Sequence, residues 1–182
     1  MSTATAATER VPAGTWAVDH AHSSATFAVR HAGLSIFRGS FKRLDATLEV
    51  GDDGAVLTGA VPVESIDVDD SDIRPHLFSP EFFDAERNPE VRFRSTDLAI
   101  AGDEIRLSGD LELAGATQAV VATGTVRGPI EVPGVGEKVA LSLEATIDRT
   151  EFGMDWQMEL PDGSPALAND VSLAVELELN KE

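Results

Sequence analysis

Four histidines have the widest chemical range in this sequence, because a neutral imidazole can act as a base or bind a metal. They are His20, His22, His31 and His76. His20 and His22 share one face of a regular strand, whereas Asp19 lies on the other face. No spacing typical of a zinc motif accompanies them, and the chain has no cysteine. We therefore predict no metal site.

The sequence lacks the motifs of the common catalytic classes. It contains no GxSxG nucleophile elbow, no glycine-rich phosphate loop and no HExxH helix. An acidic run at residues 64–72 lacks the regular spacing and the glycine of an EF-hand calcium loop, and it fits a solvated segment ahead of a helix. The sequence predicts a protein that is not an enzyme. An enzyme with His31 or His76 as its base is the alternative.

Charge restricts the partners of the chain. Its 182 residues include 32 acidic and 14 basic side chains, so the formal net charge is −18. Because this charge repels nucleic acid and anionic membrane surfaces, we expect no nucleic-acid partner. No apolar run reaches the roughly 20 residues of a membrane-spanning helix, so we expect no stable membrane insertion. Residues 1–13 lack the basic and apolar regions of a signal peptide, which favours a flexible leader and a cytoplasmic protein.

Alternation of apolar and polar residues dominates residues 14–182, and it is typical of half-buried strands. The clearest runs are 139–147 and 171–179. About eight such strands, joined by short turns, predict an all-β domain. Because closing a sheet removes its exposed edges, we predict an eight-stranded antiparallel barrel. A two-sheet sandwich with a filled core is the alternative.

One segment, residues 72–85, interrupts this alternation. It combines helix-capping residues with a Ser-Pro pair, and proline is well tolerated at the first position of a helix. We predict a short helical insertion with two turns, at 72–78 and 80–85. Its phenylalanines are Phe78, Phe82 and Phe83. We expect them to cover and gate one end of the barrel, although plain packing of the helix onto the barrel would explain them equally well.

Several motifs, taken together, resemble the YceI-like family. The first segment carries Trp16, Asp19, His22, Ser23, Phe27 and His31; the insertion carries Arg74, His76, Leu77, Phe82, Phe83 and Asp84, and continues through Asn88 and Pro89 into Phe93, Ser95 and Thr96; a late segment carries Arg149, Phe152 and Gly153. These motifs follow the family's order over about residues 14–179. Two positions depart from the family pattern, Pro75 where an aspartate is usual and Ala114 where a histidine is usual.

This resemblance implies a lipocalin-like barrel over residues 14–182 that binds a polyisoprenoid or a similar long-chain lipid. It also implies binding, transport or storage without catalysis, with the lipid as ligand and no further cofactor. A homodimer is compatible with the family. A structural or interaction protein with a filled core is the remaining alternative.

An eight-stranded barrel can hold one small ligand if its inward-facing side chains leave room. The expected ligand contacts are Phe27, Val29, Leu48, Val61, Phe78, Phe82, Phe83, Phe93, Leu107, Leu143, Trp156, Leu173 and Val175. A phosphate head group would need a basic group at the mouth of the pocket. The candidate head-group contacts are Arg74, Arg149, His31 and His76. Internal salt bridges are the alternative role for the arginines.

Overall fold

The computed structural model describes residues 10–182, and most of them lie in β-strands. The strands of the first half are β1 Gly14–Val18, β2 Ser24–His31, β3 Ser35–Phe41, β4 Asp45–Gly51, β5 Gly54–Pro62 and β6 Ile66–Asp67. Those of the second half are β7 Glu90–Ala101, β8 Glu104–Leu113, β9 Ala116–Val132, β10 Gly136–Asp148 and β11 Leu167–Lys181. Short 3-10 turns follow β5 at Val63–Ser65 and β10 at Arg149–Phe152.

Eight of these strands close into a barrel. Their order is β1, β4, β5, β7, β8, β9, β10 and β11, and β11 pairs back onto β1 at Leu179 and Val18. Each of these pairings is antiparallel. Strand β2 continues along the same edge of β11, and β3 and β6 extend the sheet from there. The predicted eight-stranded antiparallel barrel is confirmed.

The insertion between β6 and β7 contains one helix, α1 Ile73–Phe78. The second predicted helical turn, at 80–85, is wrong. The amides of Phe82 and Asp84 both donate to the carbonyl of Ser79, which gives successive turns. Asp84 has φ of 49°, a left-handed value that interrupts a helix.

Within residues 10–182 no helix combines the length and the apolar character needed to cross a bilayer.

The packed domain begins before the predicted boundary between residues 13 and 14. Val11 has no exposed surface and belongs to the core of the barrel. The indole Nε1 of Trp16 donates to the carbonyl of Pro12 at 3.0 Å. These contacts hold the segment before β1 against the barrel, so it is not part of a flexible leader. The rest of the predicted leader, residues 1–9, lies outside the described residues.

Large side chains fill one end of the barrel. The buried residues of this filled end are Val11, Trp16, Val18, Leu48, Val50, Leu98, Ile100, Ile105, Val126, Val139, Leu141 and Leu179. The Trp16 side chain is fully buried, and the Lys181 ammonium lies 5.6 Å from the centre of its ring. Close packing of this kind leaves no room for a ligand. The filled end therefore stabilises the fold and closes the barrel.

Candidate functional site

The other half of the barrel is hollow. A cavity of about 650 Å³ extends from the middle of the barrel to the end beneath the insertion. Its walls include most of the predicted contacts, namely Phe27, Val29, Val61, Phe82, Phe83, Phe93, Leu107, Leu143, Trp156, Leu173 and Val175. The volume falls in the usual range of small-molecule sites. The sequence-based alternative of a completely filled barrel is therefore wrong.

Small side chains at inward positions create this space. Ala25, Ala46, Ala122 and Ala145 line the cavity from four different strands, where the filled end has larger residues. Ala46 lies directly opposite Gly59 in the neighbouring strand, so two small residues meet at one level of the wall. Each of these alanines occupies a position whose side chain points into the barrel, since successive strand residues point to opposite faces. The sequence-based prediction overlooked them because it selected large apolar side chains as ligand contacts.

The cavity reaches the surface beside the β2–β3 hairpin. His31, Ser35 and Ile36 line it there and are exposed, as is Met158, which is 53% exposed. The segment after β10 borders the same opening. Its Ala166 carbonyl accepts a hydrogen bond, at 2.7 Å, from the amide of Ala32 in the β2–β3 hairpin. We refer to the opening lined by His31, Ser35, Ile36 and Met158 as the mouth.

Three aromatic rings join the insertion to the segment after β10. The His76 ring lies edge-on to Phe82 and to Trp156, with centroid distances of 4.9 and 5.1 Å, and Phe82 and Trp156 are 5.8 Å apart. The imidazole Nε2 of His76 is 2.7 Å from a carboxylate oxygen of Glu81. All three rings line the cavity. We call this set the aromatic cluster; its contacts close the end of the cavity beneath the insertion.

Arg149 anchors the segment after β10 through its guanidinium. Its Nη1 donates to the carbonyls of Met154 at 2.5 Å and Trp156 at 2.9 Å, and its Nε donates to that of Ala168 at 2.9 Å. The residue is 2% exposed. Burial lowers its pKa below the ordinary value, and this effect outweighs the nearby carboxylates of Asp148 and Asp155, which raise the pKa. The side chain stays charged, since arginine keeps its proton in proteins, and its donors hold the wall in place.

Comparison with known proteins identifies the family. Residues 16–179 match the model of the YceI-like domain. The chain belongs to the YceI-like family. The protein YceI of Salmonella arizonae is 27% identical over 136 residues, which cover 73% of this chain and 71% of that protein. The predicted family resemblance is confirmed.

Solved structures share the YceI-like fold. The crystal structure of BcnA from Burkholderia cenocepacia has a TM-score of 0.74 at 20% identity and covers 88% of this chain and 98% of that one. A polyisoprenoid-binding domain from Saccharophagus degradans, implicated in plant cell wall breakdown, has a TM-score of 0.72 at 10% identity and covers 93% of this chain and 99% of that one. At these identities the likeness shows the fold alone.

Two predicted ligand contacts of this YceI-like barrel do not line the cavity. Leu48 is 2% exposed and packs in the filled end, opposite Trp16 of β1. Phe78 packs against the guanidinium of Arg74, whose carbon lies 5.1 Å from the ring centre. The alternation of strand residues indicates which side chains point inward but not how deep they lie, and this explains the error at Leu48.

Arg74 also differs from its predicted role as a head-group contact. Its two terminal nitrogens donate to the carbonyls of Ile66 at 2.6 Å and Glu64 at 2.7 Å, and it does not line the cavity. The arginine therefore fixes α1 to the chain after β5. His31 and His76, by contrast, both line the cavity, and Arg149 lines it through the anchor described above.

The structure brings Asp19 and His22 together, although a regular strand would separate them. β1 ends at Val18, and the turn that follows places the Asp19 carboxylate 3.1 Å from the His22 ring. Glu178 completes a group whose ligand-type atoms lie within 4.8 Å of one another. The Lys138 ammonium contacts both carboxylates, at 2.7 and 2.6 Å. The lysine thus pairs with two of the three groups that could otherwise bind a metal ion.

Proposed function

We propose that this protein binds one long apolar lipid of the polyisoprenoid type inside its barrel, for transport or storage and without catalysis. The observation that carries this proposal is the apolar cavity of about 650 Å³ in one half of the barrel. Each methylene moved from water into such a space contributes about 0.8 kcal/mol. The polyisoprenoid-binding domain of Saccharophagus degradans, which shares the fold, supports the ligand class.

The aromatic cluster provides the gate in this proposal. Phe82 of the insertion and Trp156 of the segment after β10 meet across the end of the cavity, so a lipid passing there must separate them. Arg74 holds the insertion to the chain after β5, and Arg149 holds the segment after β10. The cytoplasmic location and the homodimer stay predictions.

Native mass spectrometry tests the proposed function. The full chain is isolated without delipidation, and its mass is compared before and after solvent extraction. We expect one lipid per chain, released by the solvent and identified in the extract as an isoprenoid. A chain that carries no lipid as isolated, and that takes up none after incubation with geranylgeraniol, would contradict the proposal. Chemical conversion of an added lipid would support an enzyme instead.

A further inference from the structure

We infer that the bound lipid has an uncharged polar end, such as an alcohol or a carbonyl group, and not a phosphate or a carboxylate. This inference rests on the proposed function and specifies the ligand of the same cavity. An ionised group drawn into an apolar cavity needs a paired cation, because its burial alone is very costly. The cations that line the cavity therefore decide which head groups it accepts.

Arg149 is one of two arginines that line the cavity within the described residues, and its donors are already used. Besides its three short bonds to the carbonyls of Met154, Trp156 and Ala168, its Nη2 lies 3.3 Å from the Asn169 side-chain oxygen. A phosphate could bind this guanidinium only if these backbone bonds were broken. Arg149 therefore holds the wall of the cavity and offers no free donor to a ligand.

Arg92, the second arginine, is neutralised by a neighbour. Two of its nitrogens donate to one carboxylate oxygen of Glu90, at 3.0 and 2.7 Å, and its side chain is 61% exposed. It alternates with the inward-facing Val91 and Phe93, so it points to the outer face of β7. Arg30 likewise alternates with Val29 and lies on the outer face of β2. Arg30 and the guanidinium of Arg92 therefore point away from the interior, although Arg92 borders the cavity.

The mouth offers polar groups without a permanent charge instead. His31 and Ser35 lie directly opposite each other on β2 and β3, and both line the cavity. Within residues 10–182 neither side chain forms a hydrogen bond. A hydroxyl and a neutral imidazole both donate and accept hydrogen bonds, as an alcohol or carbonyl requires. Asp155 and Glu159, both exposed on the segment that borders the mouth, add negative charge that disfavours an anion.

The volume of the cavity sets the length of chain that it covers. A space of about 650 Å³ corresponds to roughly 20 water molecules, and a methylene group takes up about as much room as a water molecule. A chain of about 20 carbons, or about four isoprene units, therefore matches this volume by the same estimate. Geranylgeraniol, an alcohol of this size, is a suitable probe.

The experiment compares geranylgeraniol with geranylgeranyl phosphate. Delipidated full-length protein is titrated with each at pH 8, where imidazole groups are in general neutral, and the dissociation constants are measured by calorimetry. We expect the alcohol to bind at least about tenfold more tightly, which corresponds to 1.4 kcal/mol. Equal or tighter binding of the phosphate would overturn the inference and leave the proposed function intact. If neither ligand binds, the proposed function fails as well.

A charge-insertion variant tests the role of the mouth. Ser35→Lys supplies the missing cation, so we expect it to tighten binding of the phosphate by about tenfold while binding of the alcohol changes little. Ser40→Lys is the matched control, because Ser40 lies on the same strand but on its outer face. The inference is overturned if Ser35→Lys does not change phosphate binding, or if Ser40→Lys changes it equally.

Discussion

At the level of single residues, Arg149 shows how a buried charge can hold the wall of a cavity in place. Its guanidinium replaces the water that the carbonyls of Met154, Trp156 and Ala168 would otherwise bind. Removing such a partner leaves buried acceptors unsatisfied, and this costs more than the bond itself contributes. The segment after β10 has little regular structure, so it depends on these bonds.

Arg149→Lys should therefore destabilise the protein by about 2–4 kcal/mol, although the charge is retained. A single ammonium cannot reproduce the planar set of donors that contacts three carbonyls. The free energy of unfolding is measured by urea denaturation. Arg92→Lys is the matched control, and we expect no measurable change because Arg92 is exposed. Equal stability of Arg149→Lys and the unmodified protein would show that the anchor is unimportant.

Asp19 makes stability depend on pH. The hydrogen bonds from Lys138 and His22 hold the pKa of its carboxyl well below the ordinary value. Because the folded state binds this proton less readily than the unfolded state, the contribution is present above about pH 4 and is lost as the pH falls further toward the folded pKa. Hydrogen bonds to Asp19 and Glu178 raise the pKa of Lys138, so its contribution persists until strongly alkaline pH.

Asp19→Asn should lower stability at pH 7 and weaken the further loss of stability below about pH 4. The measurement is a series of thermal unfolding curves from pH 7 to pH 2. Asp97→Asn serves as the control, since Asp97 is exposed and has no ion pair within the described residues. If both variants reproduce the pH profile of the unmodified protein, Asp19 does not make the predicted contribution.

At the level of secondary-structure elements, the insertion and the segment after β10 form the cover of the cavity. Phe82→Ala removes one ring of the aromatic cluster, so lipid should enter and leave faster, with a smaller effect on affinity. Stopped-flow fluorescence follows this exchange, because Trp156 lines the cavity whereas Trp16 is buried in the filled end. Phe78→Ala is the control within the same insertion. Unchanged exchange in Phe82→Ala with reduced stability would leave only a packing role.

Where β7 pairs with β8, the aromatic ring of Phe93 lies very close to Gly109. Gly109 of β8 lies beneath the Phe93 ring, and a Cβ there would lie 2.4 Å from the backbone oxygen of Arg94 and 2.5 Å from the ring. Gly109→Ala should therefore destabilise the barrel by about 1–3 kcal/mol, as overpacking does. Gly51→Ala, where a Cβ meets no atom within 4 Å, should change stability little. Equal unfolding midpoints for the two variants would contradict this explanation.

The elements that could be predicted from the sequence are those with a strong local pattern. Two-residue alternation predicted the strands, and the capping residues predicted α1. The prediction of a second helical turn failed because Asp84 adopts a left-handed conformation, which the Ser-Pro signal for a helix start does not reveal. The proximity of Asp19 and His22 was missed for a related reason, since the sequence does not indicate that β1 ends at Val18. The bonds of Arg149 were missed because they reach backbone carbonyls 5 to 19 residues along the chain, whose positions no local pattern indicates.

At the level of the whole molecule, the division into a filled end and a hollow end determines where a ligand could lie. Alternation shows which residues face inward, but it cannot give the space between them, because that depends on which residues meet across the barrel. The inward alanines Ala25, Ala46, Ala122 and Ala145 were the available signal. They became interpretable only once the register of the strands was known. The family, by contrast, was recognisable from motifs alone.

Filling the cavity tests whether its empty space is what binds lipid. Ala122→Phe places a ring in the middle of the cavity, whereas Ala119→Phe makes the same change at an exposed position of β9. Geranylgeraniol is titrated into each delipidated variant, and the free energy of unfolding is measured in parallel. Ala122→Phe should bind at least about tenfold more weakly while remaining as stable as the unmodified protein, and Ala119→Phe should bind normally. Undiminished binding by a folded Ala122→Phe would show that lipid is held elsewhere.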